Sequence, residues 1–426
     1  MPGIDLDIFS SRRRLLAKAL PEKSLILIVG NRLRFATGPV FYPFQQSTNM
    51  LYLCGFDEPE SALLISETGR SILFCAKEEE ANVQFHGTNI GPSRATLFFG
   101  VDDAKYASEL PGFLTDFISS HSIKRIFHSG VSADFSSSSA SFASSIFPAI
   151  HGTPLLPIDD IIEGHRSVKS SKEIDLIRKA SNAISFGFND ALKACHAGLS
   201  EHALASIISH GAIVKGNATS LSYEPVVAGS ENALVLHYTK NRALLRQGSL
   251  VLIDAGALYF HYRSDVSRTF PVSGRFSDPQ KELYTVVLNT LKYCTQMCSE
   301  KLGYSISDIY TASVYLLHEG LNKLGFSVSM RDLTRNLYFH NIGHHIGLDL
   351  HDVPSYSQDK KLVAGNVITI EPGLYIPRSA KYPSKCRYHG LGIRLENNIA
   401  VGWSTFENLT ESIPVEIEDI EGKMSK

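Results

Sequence analysis

Four carboxylates stand where an apolar strand ends or is interrupted. Asp254 follows Leu250-Val251-Leu252-Ile253, and Asp265 lies eleven residues on, far enough for a hairpin return. Glu371 follows Val367-Ile368-Thr369-Ile370, and Glu396 follows Gly392-Ile393-Arg394-Leu395. Carboxylates so placed are expected to be partly buried, and burying one ionised without a partner costs several kcal/mol. Four that converge need positive charge, which a pair of metal ions supplies compactly. A histidine-rich run, His340-Asn341-Ile342-Gly343-His344-His345-Ile346-Gly347-Leu348-Asp349-Leu350-His351-Asp352, offers imidazole. Carboxylates with one imidazole suit Mn²⁺, Co²⁺, Fe²⁺ or Zn²⁺ better than a thiolate-selecting ion. Two such ions about 3.5–4 Å apart can share a water and orient a peptide carbonyl.

Each piece taken singly has a plainer reading. Asp254 could close a strand as a turn residue, and Glu371-Pro372-Gly373 could be an ordinary strand-to-turn junction. Paired histidines also serve as buried hydrogen-bonding groups. The five together, in this order and in these surroundings, point to a site.

The elements that must carry these residues fall into two parts. Up to about residue 160, Ser24 to Val29, Leu51 to Leu53, Ala62 to Ile65 and Ile72 to Cys75 are short apolar runs and read as strands. A serine-rich tract from Ser129 to Ser145 reads as a loop and a weak helix. Composition changes near Ile162-Glu163-Gly164, placing one domain at 1–163 and a second at 164–426. Ser170 and Glu173 form a candidate capping box for a helix stopped by Gly198. A second helix begins at Asp278-Pro279, with Asp278 as an acidic cap, and a third spans roughly Ser307 to Leu324. Leu250 to Asp254, Val367 to Glu371 and Ile393 to Glu396 read as strands between them. Ala257 to Tyr262 and Asp265 to Val272 read as hairpin partners. This is an α+β pattern.

The bulk numbers exclude other classes. A 426-residue chain exceeds one ordinary core, and 43% hydrophobic with 20% charged residues fits a globular protein. A net charge of -2 lacks the basic excess of a nucleic-acid binder. The cluster Arg12-Arg13-Arg14 reads as a solvated helix face. No apolar run is long enough to span a bilayer. The opening residues lack the pattern of a secretory signal and are too acidic for a mitochondrial presequence. Six scattered cysteines, with no Cys-x-x-Cys, fit a reducing compartment, and Cys294 and Cys298 read as packed core thiols.

The segments Ile253-Asp254-Ala255-Gly256, Ser264-Asp265-Val266-Ser267-Arg268-Thr269-Phe270-Pro271-Val272, His344 to Asp352, Ile370-Glu371-Pro372-Gly373-Leu374-Tyr375 and Gly392-Ile393-Arg394-Leu395-Glu396 resemble the motifs of Xaa-Pro aminopeptidases and prolidases, the pita-bread metallopeptidases. Ser222-Tyr223-Glu224-Pro225-Val226-Val227-Ala228-Gly229 and Leu236-His237-Tyr238 match as well. Phe44 to Phe56, with Glu58-Pro59, is similar to the branch holding mitochondrial Xaa-Pro aminopeptidase 3 and the intermediate-cleaving peptidases.

The resemblance implies a C-terminal pita-bread fold behind an N-terminal α/β domain. It implies two divalent ions, Mn²⁺ first, with Zn²⁺, Co²⁺ or Fe²⁺ as alternatives. Asp254 would bind one ion, Asp265 and Glu396 would bridge both, and His344 and Glu371 would bind the other. His344 rather than His345 is the ligand, because the pattern places two residues before the Gly-Leu pair. Glu371 is also the catalytic carboxylate, His237 and His351 contact the substrate carbonyl and oxyanion, and His340 lines the pocket for the second residue. Tyr375 and Arg394 would orient ligands, their plainer readings being core packing and a structural ion pair. Asn397-Asn398 departs from the acidic residues common in relatives and would soften the local negative charge.

The implied reaction is release of an N-terminal residue from peptides or proteins, before proline or as an intermediate-cleaving peptidase. A prolidase restricted to dipeptides is the alternative within the class, and a metal-free peptide-binding scaffold the alternative outside it. The partners implied are peptide N-termini and a second copy in a homodimer, with no nucleic acid and no membrane. The compartment implied is the mitochondrion, with cytoplasm or nucleus as alternatives.

Overall fold

The computed structural model describes residues 4–77, 83–84, 87–130, 142–378 and 387–425. They form two compact units, Met1–Arg166 and Ser167–Lys426.

The first unit is built on a six-stranded mixed sheet, in the order Asp103–Tyr106, Ser71–Cys75, Ala62–Ser66, Ser24–Val29, Arg125–Ser129, Leu155–Pro157. Ser24–Val29 pairs antiparallel with Ala62–Ser66 and parallel with Arg125–Ser129. Helices Leu110–Ser120 and Phe142–Ile150 supply Leu110, Leu114, Ile146 and Ile150 to the core beneath it. This is the expected α/β character. The tract from residue 131 to 141, and Cys386 elsewhere, lie outside the described residues.

Two expectations fail in this unit. Leu51 to Leu53 is not a strand but part of the helix Thr48–Cys54, closed by Gly55 at φ 73°. Asn49 through Cys54 are all buried, and a short fully buried run carries no periodicity that separates helix from strand. Nor are Arg12 and Arg13 solvated, although Arg14 is exposed. Arg13 is 1% exposed, and its guanidinium donates to the carbonyls of Leu53 at 2.9 Å and Gly100 at 2.5 Å. Arg12 donates to Tyr52 O at 3.0 Å and lies 3.9 Å over the Tyr52 ring. The Tyr52 and Leu53 carbonyls end a buried helix and have no partner within it, and these arginines satisfy them.

The second unit mixes helices with small antiparallel sheets, and its core joins both. The Ser170–Glu173 capping box is present and starts the helix Ser171–Ala194. The next long helix, Asp278–Gln296, is capped by Ser277 rather than by the expected Asp278. Ser277 N–H donates to Gln280 Oε1 at 2.9 Å, so the serine closes the first turn and the aspartate lies within it. Cys294 and Cys298 are fully buried among apolar side chains, as expected of core thiols.

The strands that frame the site pair differently from the expected hairpin. Ala257–Tyr259 turns back through Phe260 and His261, both at positive φ, onto Tyr262–Arg263. Two left-handed residues make the tight reversal that suits a twisted hairpin. Val266–Pro271 then pairs antiparallel with Leu250–Ala255, which also pairs with Val226–Gly229. Behind them run Val367–Ile370 against Asn397–Val401, and Gly373–Tyr375 against Gly392–Arg394. Among the described residues no helix is long and apolar enough to cross a membrane.

Replacing Arg13 with Met should leave the buried Leu53 carbonyl and the partly buried Gly100 carbonyl without their guanidinium donor. A loss of about 2–3 kcal/mol is expected in urea unfolding, while Arg14→Met should stay within about 0.5 kcal/mol of the parent.

Candidate metal centre

Strand register brings the acids together. Asp254 sits across from Ser267, one pair from the end of its ladder, and Asp265 immediately precedes the partner strand. Glu371 follows Val367–Ile370, its N–H donating to Ile342 O at 2.7 Å. Glu396 lies between Gly392–Arg394 and Asn397–Val401, its N–H donating to Ser267 O at 3.0 Å. His344 is in irregular chain, sewn to the neighbouring strand by His344 N–H to Thr369 Oγ1 at 3.1 Å and Thr369 N–H to His344 O at 2.8 Å.

One ligand atom each from Asp265, His344 and Glu396 lies within 4.8 Å of the others. His344 Nε2 is 3.4 Å from Asp265 Oδ2 and 3.8 Å from Glu371 Oε1. Asp254 joins the group through Tyr223, whose hydroxyl bonds Asp254 Oδ1 and, at 2.5 Å, Asp265 Oδ1. The four acids, His344, His237, His340, His351 and Arg394 all line one cleft of about 590 Å³. Of the residues singled out in the sequence, Tyr375 stands behind the cleft wall instead, 1% exposed.

Charge in the cleft is unbalanced. Burial raises Asp254, with Arg394 opposing, and lifts Glu371 to about 7, with His344 and Arg394 opposing. Burial, then the Asp265, Glu371 and Asp254 charges, drives Glu396 well above the usual carboxylate range. Burial would raise Asp265 too, but contact with His344 and Tyr223 holds it below its ordinary value. Burial would lower His344, yet Asp265 and Glu371 push it up to about 9. These acids therefore call for more positive charge than Arg394 and one imidazole provide. His344 Nδ1 lies 2.9 Å from His345 O, a carbonyl that can only accept, so Nδ1 keeps its proton and Nε2, turned toward Asp265 and Glu371, is the nitrogen that would ligate on giving up its own. A hard divalent cation fits this donor set.

A second layer orients the acids. Arg394 donates from Nη2 to Asp254 Oδ2 at 2.6 Å, from Nη1 to the Tyr375 hydroxyl at 3.0 Å and from Nε to Ser267 Oγ at 2.8 Å. Ser267 Oγ in turn donates to Glu396 Oε2 at 2.9 Å. His340 Nδ1 meets Asn341 O at 2.8 Å, so its Nε2 accepts from the Tyr375 hydroxyl at 3.0 Å. Burial, then Arg394, pushes His340 down to about 3, which keeps it neutral. Its ring is walled by Tyr338, Phe339 and Tyr375. Arg394 thus contacts the acids directly, and Tyr375 backs both Arg394 and His340 rather than merely filling the core.

Several contributors had no role assigned from the sequence. Tyr223 lay within a matching motif, but nothing in its spacing pointed at two carboxylates. Fully buried Arg268 donates to Ser267 O at 3.0 Å and Glu396 O at 2.5 Å. Asn398 accepts from Asp265 N–H at 3.0 Å and donates to Asp265 O at 2.6 Å. An amide does both where a carboxylate could only accept, so Asn398 positions Asp265 besides lowering the charge. Buried Glu201 accepts from Gly229 N, Asn232 Nδ2 and Ala243 N at 2.8 Å each, and from the Tyr238 hydroxyl at 2.9 Å, pinning the segment that carries His237. In sequence it reads only as an acid in a helix's first turn.

A carboxylate and imidazole cluster in a cleft of an α+β unit, ready for divalent ions, defines a metallohydrolase class of site. Residues 175–402 match metallopeptidase family M24, and residues 9–127 match the aminopeptidase P N-terminal domain. The chain belongs to metallopeptidase family M24, and with it come the pita-bread fold and divalent metal ions. It is 34% identical to intermediate cleaving peptidase 55 of Saccharomyces cerevisiae, over 99% of this chain and 85% of that protein. It is 31% identical to the Xaa-Pro aminopeptidase of Escherichia coli, over 100% and 99%. The solved structure of Escherichia coli aminopeptidase P with the inhibitor Pro-Leu superposes with a TM-score of 0.90 at 30% identity, covering 99% of this chain and 98% of that one. That of Icp55 from Saccharomyces cerevisiae gives 0.89 at 33% identity, with the same coverage.

Tyr223→Phe removes the hydroxyl held between Asp254 and Asp265 but keeps the ring. Metal affinity should fall about 10–100-fold, measured by titration of the metal-free protein, with the unfolding midpoint little changed.

Proposed function

We propose that this protein is a metal-dependent aminopeptidase that releases the first residue of peptides or protein N-termini, either before proline or by intermediate cleavage. The observation carrying this reading is the convergence of Asp254, Asp265, His344, Glu371 and Glu396 on one cleft. The set would hold two divalent ions, Mn²⁺ before Zn²⁺, Co²⁺ or Fe²⁺, with Asp265 and Glu396 shared, Asp254 on one side and His344 with Glu371 on the other.

When bound, the ions would polarise the scissile carbonyl and acidify water. The remaining work falls to side chains. Glu371 takes up the proton of the attacking water and passes it toward the leaving amine. His237 and His351, both exposed on the cleft wall, donate to the substrate carbonyl and the developing oxyanion. His340, neutral and backed by Tyr375, lines the pocket for the second residue. Arg394 holds Asp254 and Tyr375 in place. The intermediate cleaving peptidase 55 of Saccharomyces cerevisiae, and the Arabidopsis thaliana relative called intermediate cleaving peptidase 55, mitochondrial, support a mitochondrial trimming role. A homodimer is the expected assembly, and sedimentation checks it.

Digestion of a peptide library with and without Mn²⁺, read by mass spectrometry, tests the activity. Metal-dependent loss of single N-terminal residues is expected, and the residue after the cut tells whether proline is required. Turnover of dipeptides alone would make it a prolidase. Binding without cleavage by a metal-loaded sample would make it a scaffold. Asp265→Ala and Glu396→Ala should each abolish turnover together with metal content. Normal activity in either variant, stripped of metal, would refute the mechanism.

A further inference from the structure

We propose that the buried Lys169–Asp352 ion pair is the positioning element that sets His351 against the metal centre. The proposal deepens the reading above and rests on the role given there to His351. Lys169 Nζ lies 2.8 Å from Asp352 Oδ2, with the two side chains 2% and 1% exposed. Desolvating both charges cancels much of their attraction, and an apolar pair of similar volume would often stabilise a fold as well. What the ionic pair adds is direction.

Both ends of the pair are tied to the frame. Lys169 precedes the capping box of Ser171–Ala194, and its N–H donates to Gly365 O at 2.8 Å. Asp352 N–H donates to His345 O at 2.8 Å, and Asp352 Oδ1 accepts from Asp349 N–H at 3.3 Å. Asp352 therefore closes the turn that leaves His344 at one end and His351 at the other, ring centroids 4.2 Å apart. Among the described residues the His351 ring makes no hydrogen bond, so backbone on either side must place it.

Two further features fit a turn clamped by this pair. A Cβ on Gly347 would stand 2.7 Å from Asp352 Oδ2 and 3.0 Å from Lys169 Cε, so the turn closes onto the pair only because residue 347 has no side chain. Val353, buried and β-branched, sits at φ +50°, a conformation such residues rarely adopt and one that surrounding contacts must enforce.

The test compares four metal-loaded proteins on the best peptide substrate: parent, Lys169→Met/Asp352→Leu, His351→Ala and the combination. The double substitution keeps apolar bulk and strands no charge. Its kcat should fall on the order of 100-fold with metal content and unfolding midpoint preserved, and the fall should vanish in the His351→Ala background. Parent-like kcat, a loss that follows metal content, or a loss that adds to that of His351→Ala would overturn the proposal. Parent-like kcat in His351→Ala alone would instead sink the role of His351, and the positioning claim with it. Should the double variant fail to fold, Asp352→Glu keeps the charge and lengthens the arm. It should lower kcat with metal retained, and parent-like kcat there would overturn the proposal equally.

Discussion

Gathering four carboxylates in one buried cleft is the constraint on which the rest of the second unit depends. Left alone, the acids would repel and desolvate one another out of ionisation, and burial already lifts Asp254, Glu371 and Glu396. The surroundings answer with donors. Arg394, Tyr223 and Ser267 give side-chain hydrogen bonds to the acids, while Arg268 and Asn398 hold their backbone. The charge still missing is what divalent ions bring, so metal binding and the integrity of this cleft are physically linked.

Small antiparallel sheets suit the task. Each ladder ends near the cleft, and the residue at or just past the ladder's end projects its acid inward, as Asp254, Asp265, Glu371 and Glu396 do. The apolar remainder of each strand is anchored in the core. Irregular chain carrying His344 and His351 could not hold position by itself. It borrows rigidity from Thr369 on one side and from the Lys169–Asp352 pair on the other.

The layered polar chain from Arg394 through Tyr375 to His340 has a consequence for chemistry. Because Tyr375 donates to His340, the imidazole presents no positive charge of its own to a substrate. A neutral imidazole and a set of buried carboxylates thus share a single cleft, setting an uncharged surface beside a charged one.

Much of this was legible in the sequence, because it depends on local pattern. Runs such as Leu250 to Ile253 announce strands, a carboxylate breaking such a run announces a reason for being there, and Ser170 with Glu173 announces a helix start. The donor types alone restrict the metal. What the sequence left open depended on neighbours distant along the chain. Leu51 to Leu53 is apolar in helix or strand alike, and only the packing around Thr48–Cys54 decided. Arg12 and Arg13 look like any surface charge until the carbonyls of Tyr52, Leu53 and Gly100 are placed beside them. Asp254 and Asp265 share a cleft because the Phe260-His261 reversal returns one strand onto another. Lys169 meets Asp352 across 183 positions, and no local rule pairs side chains over such a separation. Composition and periodicity determine which segments bury their faces. Which polar groups then meet inside is decided by tertiary register, since each must find its partner where water is excluded.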